Sequence, residues 1–410
     1  MNMLLTREPI FDADDGIVGY ELLCREADPA AVAAGADGSA ERVLVDALLG
    51  AGLHRLTDGH AAFISVTRDL LLGEALQLLD PLAVVIQLDE SIDADEDVLA
   101  ACESLAGIGY RFALDHYVHH VDREPLLRLA HIVKVDVRRY ESDALAQEVE
   151  RLKAHGVQLL AEKVENRPVH QACLELGFEL FQGYLFSRPE TVEKKDIPVE
   201  HLRLFEVMKL VRDMDTQDGR IEDVLRTDVA LSYKILRIVN SVAIGGQGIR
   251  SIGHAIRMLG RQALYRWLSL LLVPGARQSD VEAELVSATL ARARFCEALG
   301  DAGRRPLLGG TLFLIGLLSS LESYYGMDLE EVVGQLDLAP EITGALVGRR
   351  GPFGAALGLV TAYEQGQWDE VSERCEELGV AEEDLTNLYL DSLTWAHEHA
   401  QAMDADAAAV

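Results

Sequence analysis

With 410 residues, 49% of them hydrophobic, the chain is long enough for two domains with separate cores and too apolar to be a disordered polymer. Its 68 acidic residues against 37 basic ones give a formal charge of -31, a field that repels both nucleic acid and anionic membrane surfaces. Five scattered cysteines without a CxxC pair argue against a disulfide framework or a cysteine zinc site and suit free thiols in a reducing compartment. The opening MNMLLTREPIFDADDG lacks a basic segment leading into a long apolar one, and the run LSLLLV (268–273) is too short to span a bilayer. A cytoplasmic protein without membrane contact is expected.

In chain order, LLTREPIF and IVGYELL flank the turn signal DADDG and predict an opening β-hairpin. Short strand-like runs follow: AFISV, VVIQL, RFALD, IVKVD, VQLLAEKV and LFQGYLF. Stretches with apolar residues at helical spacing, such as ERVLVDALLGAGLHRL and ALAQEVERLKAHG, lie between them, so parallel strands joined by crossover helices are expected. Polar residues collect where these strands stop: Glu21, Asp89 with Glu90, Asp115, Lys134 with Asp136, Glu162 with Glu165, and Gln182. In a β/α barrel all such ends point to one face, where residues distant in sequence converge.

After SRPETVEKKDIPVE the strand signal fades, and helix follows helix: HLRLFEVMKLVRDM, IEDVLRTDVALSYKILRIVN, IGHAIRMLGRQALYRWLSLLLV, ELVSATLARARFCEALG and GTLFLIGLLSSLESYYG. Glycine-rich connections (GGQG, DAGRR, GRRGPFG) separate several of them. The expected organisation is an α/β domain over 1–192, an all-α domain over 193–400 and a flexible tail over 401–410.

Two local features invite specific chemistry. In RFALDHYVHH, Asp115 is followed by His116, His119 and His120, which together suggest a zinc site, but a solvated loop explains one short segment better. The stretch 229–259 has a helix–Gly turn–helix look with Arg250, Arg257 and Arg261 nearby; the acidic chain and the apolar content of both helices favour ordinary packing over DNA binding.

The strand-end residues also form an ordered set of motifs: GYELLCR with Glu21 and Arg25, IVKVD with Lys134, AEKVE with Glu162 and Glu165, and FQGYLFSRP with Gln182. This series, over about residues 3–190, resembles EAL domains, the cyclic di-GMP phosphodiesterases, whose fold is a modified TIM-like (β/α) barrel. LRTDVALSYKILRIVNS and SIGHAIRMLGRQALYRWL resemble the HDOD domain, an all-α relative of the HD hydrolases, and the order EAL then HDOD resembles a family of bacterial signalling proteins. The resemblance implies that Glu21 is a metal ligand and that Glu162 is a general base or water-orienting acid. It further implies that Lys134 holds the attacking water or a phosphate, and that Asp115 is the first of a metal-binding Asp-Asp pair.

The departures from that pattern are as informative. Ser65 stands where the family has a metal-binding Asn, Gln87 where it has a metal-binding Glu, and His116 where it has the second Asp; Lys163 replaces the Gly of AEGVE. Gln87 and His116 each remove a negative charge from a centre built for two Mg²⁺ or Mn²⁺ ions. In the helical half, Ser319 and Ser320 stand where a hydrolase would need His-Asp. The expectation is a non-catalytic regulator that acts by protein contacts beside cyclic di-GMP signalling, without a cofactor, with Mg²⁺ or Mn²⁺ needed only for residual phosphodiesterase activity. Arg25, Lys134 and Gln182 are the groups left to contact cyclic di-GMP, and weakly, since the lost metals remove much of the attraction for its phosphates. Partner identity and homo-oligomerisation are left open.

Overall fold

The computed structural model describes residues 3–26, 52–183, 199–213, 215–226, 279–302, 308–334 and 338–407, with isolated positions at 45, 48, between 260 and 272, and at 336. The expected domain boundary near 192, and Arg250 and Arg257, lie outside these residues. Eight strands close a barrel in sequence order: β1 (Met3–Asp12), β2 (Ile17–Glu26), β3 (Ala61–Ser65), β4 (Val84–Leu88), β5 (Arg111–Leu114), β6 (Ile132–Asp136), β7 (Gln158–Glu162) and β8 (Leu180–Phe181). Strands β2 to β8 run parallel, whereas β1 is antiparallel to both of its neighbours. The cause is the short turn after β1, which can join only antiparallel strands. In that turn Asp12 Oδ1 accepts from the Asp14 and Gly16 amides, and Asp15 takes a left-handed conformation at φ 63°.

Helices α1 (Leu53–Thr57), α2 (Arg68–Leu72), α3 (Glu96–Gly107), α4 (Glu124–Leu129), α5 (Ser142–Lys153) and α6 (Arg167–Leu176) belong to the crossovers. Their starts are set locally: Asp95 caps α3 through the Val98 amide and Asn166 caps α6 through the Val169 amide. The barrel interior is layered by the two-residue period of its strands. Ile10, Phe63, Val85, Ala113, Ile132, Leu160 and Leu180 form one apolar plug. Two residues further along each parallel strand stand Ser65, Gln87, Asp115, Lys134, Glu162 and Gln182, so one step of the pleat turns a hydrophobic plug into a polar floor.

The second half is helical among the described residues: α7 (Val199–Arg212), α8 (Asp218–Arg226), α9 (Asp280–Ala302), α10 (Gly309–Leu318), α11 (Leu321–Tyr325), α12 (Leu329–Val333), α13 (Pro340–Gly348), α14 (Gly351–Glu364), α15 (Trp368–Leu378) and α16 (Glu382–Ala407). Gly316 lets α10 lie against α9, since a Cβ there would sit 2.8 Å from Ala293 Cα. Two expectations are revised. GRRGPFG is not all connection: Pro352 stands in the first turn of α14, where its missing N–H costs nothing. The segment 401–410 is not all tail, because α16 continues to Ala407. None of the described helices is long and apolar enough to cross a membrane. Arg261 is tied to Asp218 and to the Asp213 and Thr216 carbonyls, which makes it a helix-connection brace.

The β1–β2 hairpin joins the two halves. Its outward side chains Leu5, Tyr20 and Leu22 share a core with Val281 and Leu390. The Tyr363 hydroxyl donates to the Leu5 carbonyl at 2.9 Å and accepts from the Leu5 amide at 3.2 Å, and Thr386 donates to the Met3 carbonyl. Arg7 is buried between the halves, 2.9 Å from Asp58, 3.5 Å from Glu284 and over the Tyr20 ring at 4.2 Å, while the Tyr20 hydroxyl donates to Glu284 at 2.8 Å. Burial opposes the Arg7 charge, but Glu284 and Asp58 outweigh it and hold its pKa above the usual arginine value.

Breaking this pair from one side strands a buried charge. Arg7→Met is expected to lower stability by about 3–5 kcal/mol, and Arg7→Met with Glu284→Leu by clearly less. Urea denaturation of the single and double variants measures both; equal losses would show that the pair is not coupled.

Candidate functional site in the barrel mouth

The polar floor converges on one ammonium. Lys134, fully buried on β6, places Nζ 2.8 Å from Glu21 Oε1, 2.9 Å from Gln87 Oε1, 3.0 Å from Asp115 Oδ1 and 3.2 Å from Glu162 Oε1. The Gln87 amide donates to Glu21 Oε1 at 2.8 Å and to Ser65 Oγ at 3.1 Å, and the Gln182 amide donates to Glu21 Oε2 at 2.5 Å. Burial works against the Lys134 charge, yet Glu21, Glu162 and Asp115 raise its pKa well above that of free lysine. The carboxylates respond differently to the same burial. For Glu21, Lys134 and Gln182 outweigh it and lower the pKa; for Asp115, His116 and Lys134 do the same. For Glu162, burial prevails, reinforced by the charges of Asp115 and Glu21, and its pKa rises in spite of its contact with Lys134.

His116 has a left-handed backbone, φ 47°, and carries its half-exposed ring to the rim, where Nδ1 lies 3.4 Å from Asp115 Oδ2. That contact raises the imidazole pKa. Asp115, His116 and Glu162 each offer a donor atom within 4.8 Å of the other two. Glu162 Oε2 is buried without a hydrogen-bond partner among the described residues. His119 and His120 do not join: both are exposed, and His120 pairs with Asp122 at 3.2 Å.

Several candidate residues lie elsewhere than the motif order implies. Arg25 is not presented to a ligand. It follows Glu21 by four residues on the same face of β2, but there the helical half meets it first, with Asp369 at 3.1 Å, Ser372 at 2.6 Å and Glu382 at 3.7 Å. Leu23, between them on that face, packs against the turn at Gly366. Lys134 and the Gln182 amide nitrogen are likewise bonded to Glu21, while Gln182 Oε1 is buried without a hydrogen-bond partner among the described residues. Glu165 is not part of the cluster, because it lies three residues past the strand end, exposed, and 3.4 Å from Arg138. Asp136 pairs with Arg138 at 3.1 Å, Asp89 holds the Ser91 turn, and Glu90 is exposed.

Lys163 has φ 58°, a conformation that suits the glycine it replaces. Gly183 does need to be glycine, since a Cβ would meet Val164 N at 2.4 Å. One site residue escaped sequence reasoning. Glu8 pairs with Glu21 across the hairpin, and burial together with Glu21 raises its pKa. Counting back from the DADDG turn gives that pairing and would have found it.

In the helical half, Ser319 and Ser320 face a cation. Arg292 donates to their hydroxyls at 3.3 and 3.1 Å and pairs with Glu364 at 2.7 Å. A guanidinium in this position opposes a metal ion there.

Lys134→Met leaves Glu21, Asp115 and Glu162 confronting one another, with an expected loss of about 3–5 kcal/mol at pH 7. The pH dependence reverses sign. In the parent, the depressed pKa values of Glu21 and Asp115 give stability that is present above about pH 4 and lost as pH falls through their folded values. In the variant, the uncompensated carboxyls gain stability as they protonate. Urea midpoints between pH 4 and 8 check this; parallel curves would contradict it.

The comparisons with known proteins fit this architecture. The EAL domain profile matches residues 60–189 and the HDOD domain profile matches residues 197–323. The chain is 30% identical over 399 residues to the cyclic di-GMP phosphodiesterase CdgJ of Vibrio cholerae, covering 96% of this chain and 92% of that protein. It is 29% identical over 406 residues to YuxH of Bacillus subtilis, an uncharacterized protein, covering 97% and 98% of the two chains. A manganese and cyclic di-GMP complex of BlrP1 from Klebsiella pneumoniae is similar over 45% of this chain and 55% of that one, with 21% identity and a TM-score of 0.39. Barrel, motif order and full-length likeness together place this chain in the family of signalling proteins that carry an EAL domain followed by an HDOD domain.

Proposed function

We infer that this protein is a non-hydrolysing regulator whose barrel keeps the shape of a cyclic di-GMP phosphodiesterase without its two-metal chemistry, and whose HD-like helical half acts through protein contacts. Charge balance supports this reading. A site with Glu at position 87 and Asp at 116 would hold five carboxylates against the Lys134 ammonium, a net charge that two dications cancel. The three carboxylates that contact Lys134, those of Glu21, Asp115 and Glu162, leave a net charge that one dication cancels, and a second would stand as uncompensated charge in a buried site. Gln87 also turns its amide donor onto Glu21 and Ser65, so three of the implied ligand positions are bonded to one another. The residues present therefore do not fit a pair of Mg²⁺ or Mn²⁺ ions.

Access argues the same way. The strand face that carries Glu21 continues through Leu23 to Arg25, and helix α15 with the turn before it covers that side of the mouth. A dinucleotide approaching there meets Asp369 and Glu382 in place of a free arginine. The kinship with CdgJ favours a second reading, a phosphodiesterase with residual activity.

Incubation of the full chain with cyclic di-GMP and Mg²⁺ or Mn²⁺, followed by chromatography of the nucleotides, separates the two. The expected result is unchanged substrate. Linear dinucleotide that disappears in Glu21→Ala would overturn the non-hydrolysing reading and establish the second one. Tight binding without turnover, read by calorimetry, would make the barrel a cyclic di-GMP receptor.

A further inference from the structure

We propose that the barrel mouth binds a single divalent transition-metal ion of the zinc type through Asp115 Oδ2, His116 Nδ1 and Glu162 Oε2. The inference rests on the non-hydrolysing reading of the same site and adds what that site retains. Lys134 divides the two carboxylates. It engages Asp115 Oδ1 at 3.0 Å and Glu162 Oε1 at 3.2 Å. Asp115 Oδ2 lies 3.4 Å from the imidazole Nδ1, and Glu162 Oε2 is buried with no partner among the described residues. A buried acceptor left without a donor costs about 1–3 kcal/mol, a penalty that a bound cation removes.

The donor set fixes the class of ion. Asp115, His116 and Glu162 each offer one donor atom within 4.8 Å of the other two. Tetrahedral bonds of about 2.0–2.2 Å set donors about 3.4 Å apart, so binding asks the side chains to draw together from a spacing of up to 4.8 Å. One imidazole nitrogen with two carboxylate oxygens suits Zn²⁺ or Co²⁺, whereas Mg²⁺ prefers an all-oxygen shell with several waters. His116 is half exposed, which leaves the fourth position open to water from the mouth. Lys134 then acts behind the ligands, fixing the rotation of both carboxylates by their outer oxygens. The charge also closes, because one dication cancels the excess of Glu21, Asp115 and Glu162 over Lys134. The histidine that breaks the two-metal pattern is thus the residue that selects the new ion.

The test is calorimetric titration of the EDTA-stripped full chain with Zn²⁺, repeated with Mg²⁺, and visible absorption on adding Co²⁺. One equivalent of Zn²⁺ is expected, unaffected by millimolar Mg²⁺, with a Co²⁺ spectrum of low coordination number. His116→Asn and Glu162→Gln should each weaken Zn²⁺ binding by about 100-fold or more, while His119→Asn should leave it unchanged. Circular dichroism and the urea midpoint show whether each variant folds, and either of the two ligand variants suffices. Absence of Zn²⁺ binding, or binding indifferent to both His116→Asn and Glu162→Gln, would overturn the proposal and leave the non-hydrolysing reading intact. Two equivalents of Mg²⁺ or Mn²⁺ with turnover of cyclic di-GMP would sink both.

Discussion

A single buried ammonium holds the centre of this barrel together. Lys134 lies at the level where strands from all sides bring their first polar side chains inward, and it touches oxygens from β2, β4, β7 and the end of β5. Three carboxyls at this depth would repel one another too strongly to coexist ionised, and a lone ammonium would be as costly. Each is tolerable only with the others, so the cluster fixes strand register as firmly as the apolar plug beneath it. Its pKa pattern follows: Glu21 and Asp115 are held ionised, whereas Glu162, with one oxygen unpaired, is pushed the other way.

The β1–β2 hairpin has two tasks that are usually separate. The face that contributes Glu8 and Glu21 to the barrel interior continues through Leu23 and Arg25 to the helical half, and the opposite face packs Leu5, Tyr20, Leu22 and Arg7 against it. Because β1 exchanges hydrogen bonds with both Tyr363 and its neighbouring strands, the helical half completes the barrel's first strand from outside. This arrangement explains the fate of Arg25. Strand parity aims it at the mouth, but α15 and α16 supply two carboxylates and a hydroxyl before any ligand can.

In both halves a buried or half-buried cation stands among the residues that the motif order singles out. Lys134 with Gln87 fills the barrel floor, and Arg292 with Glu364 fills the position beside Ser319 and Ser320. The two cases differ at the edge. The helical cluster brings a single carboxylate, Glu364 through Oε2, to its guanidinium, whereas the barrel brings Asp115, His116 and Glu162 within donor distance of one another.

The sequence by itself determined the barrel, the strand ends and the members of the Lys134 cluster. Parallel strands share one direction, and a period of two assigns each inward residue without knowledge of its neighbours. It also singled out Gln87 and His116, which occupy motif positions where the resemblance implies carboxylates and which need no geometry to find. Whatever depends on which group arrives first was decided only by the tertiary structure. Glu8 needed the hairpin register, Glu165 needed the point where β7 ends, and Arg25 needed the surface of a domain more than 340 residues further along the chain. The same holds for His116. The motif order places it where the resemblance implies an acid, but the fold brings its ring within donor distance of Asp115 and Glu162, because coordination depends on directions in space that no spacing along the chain records.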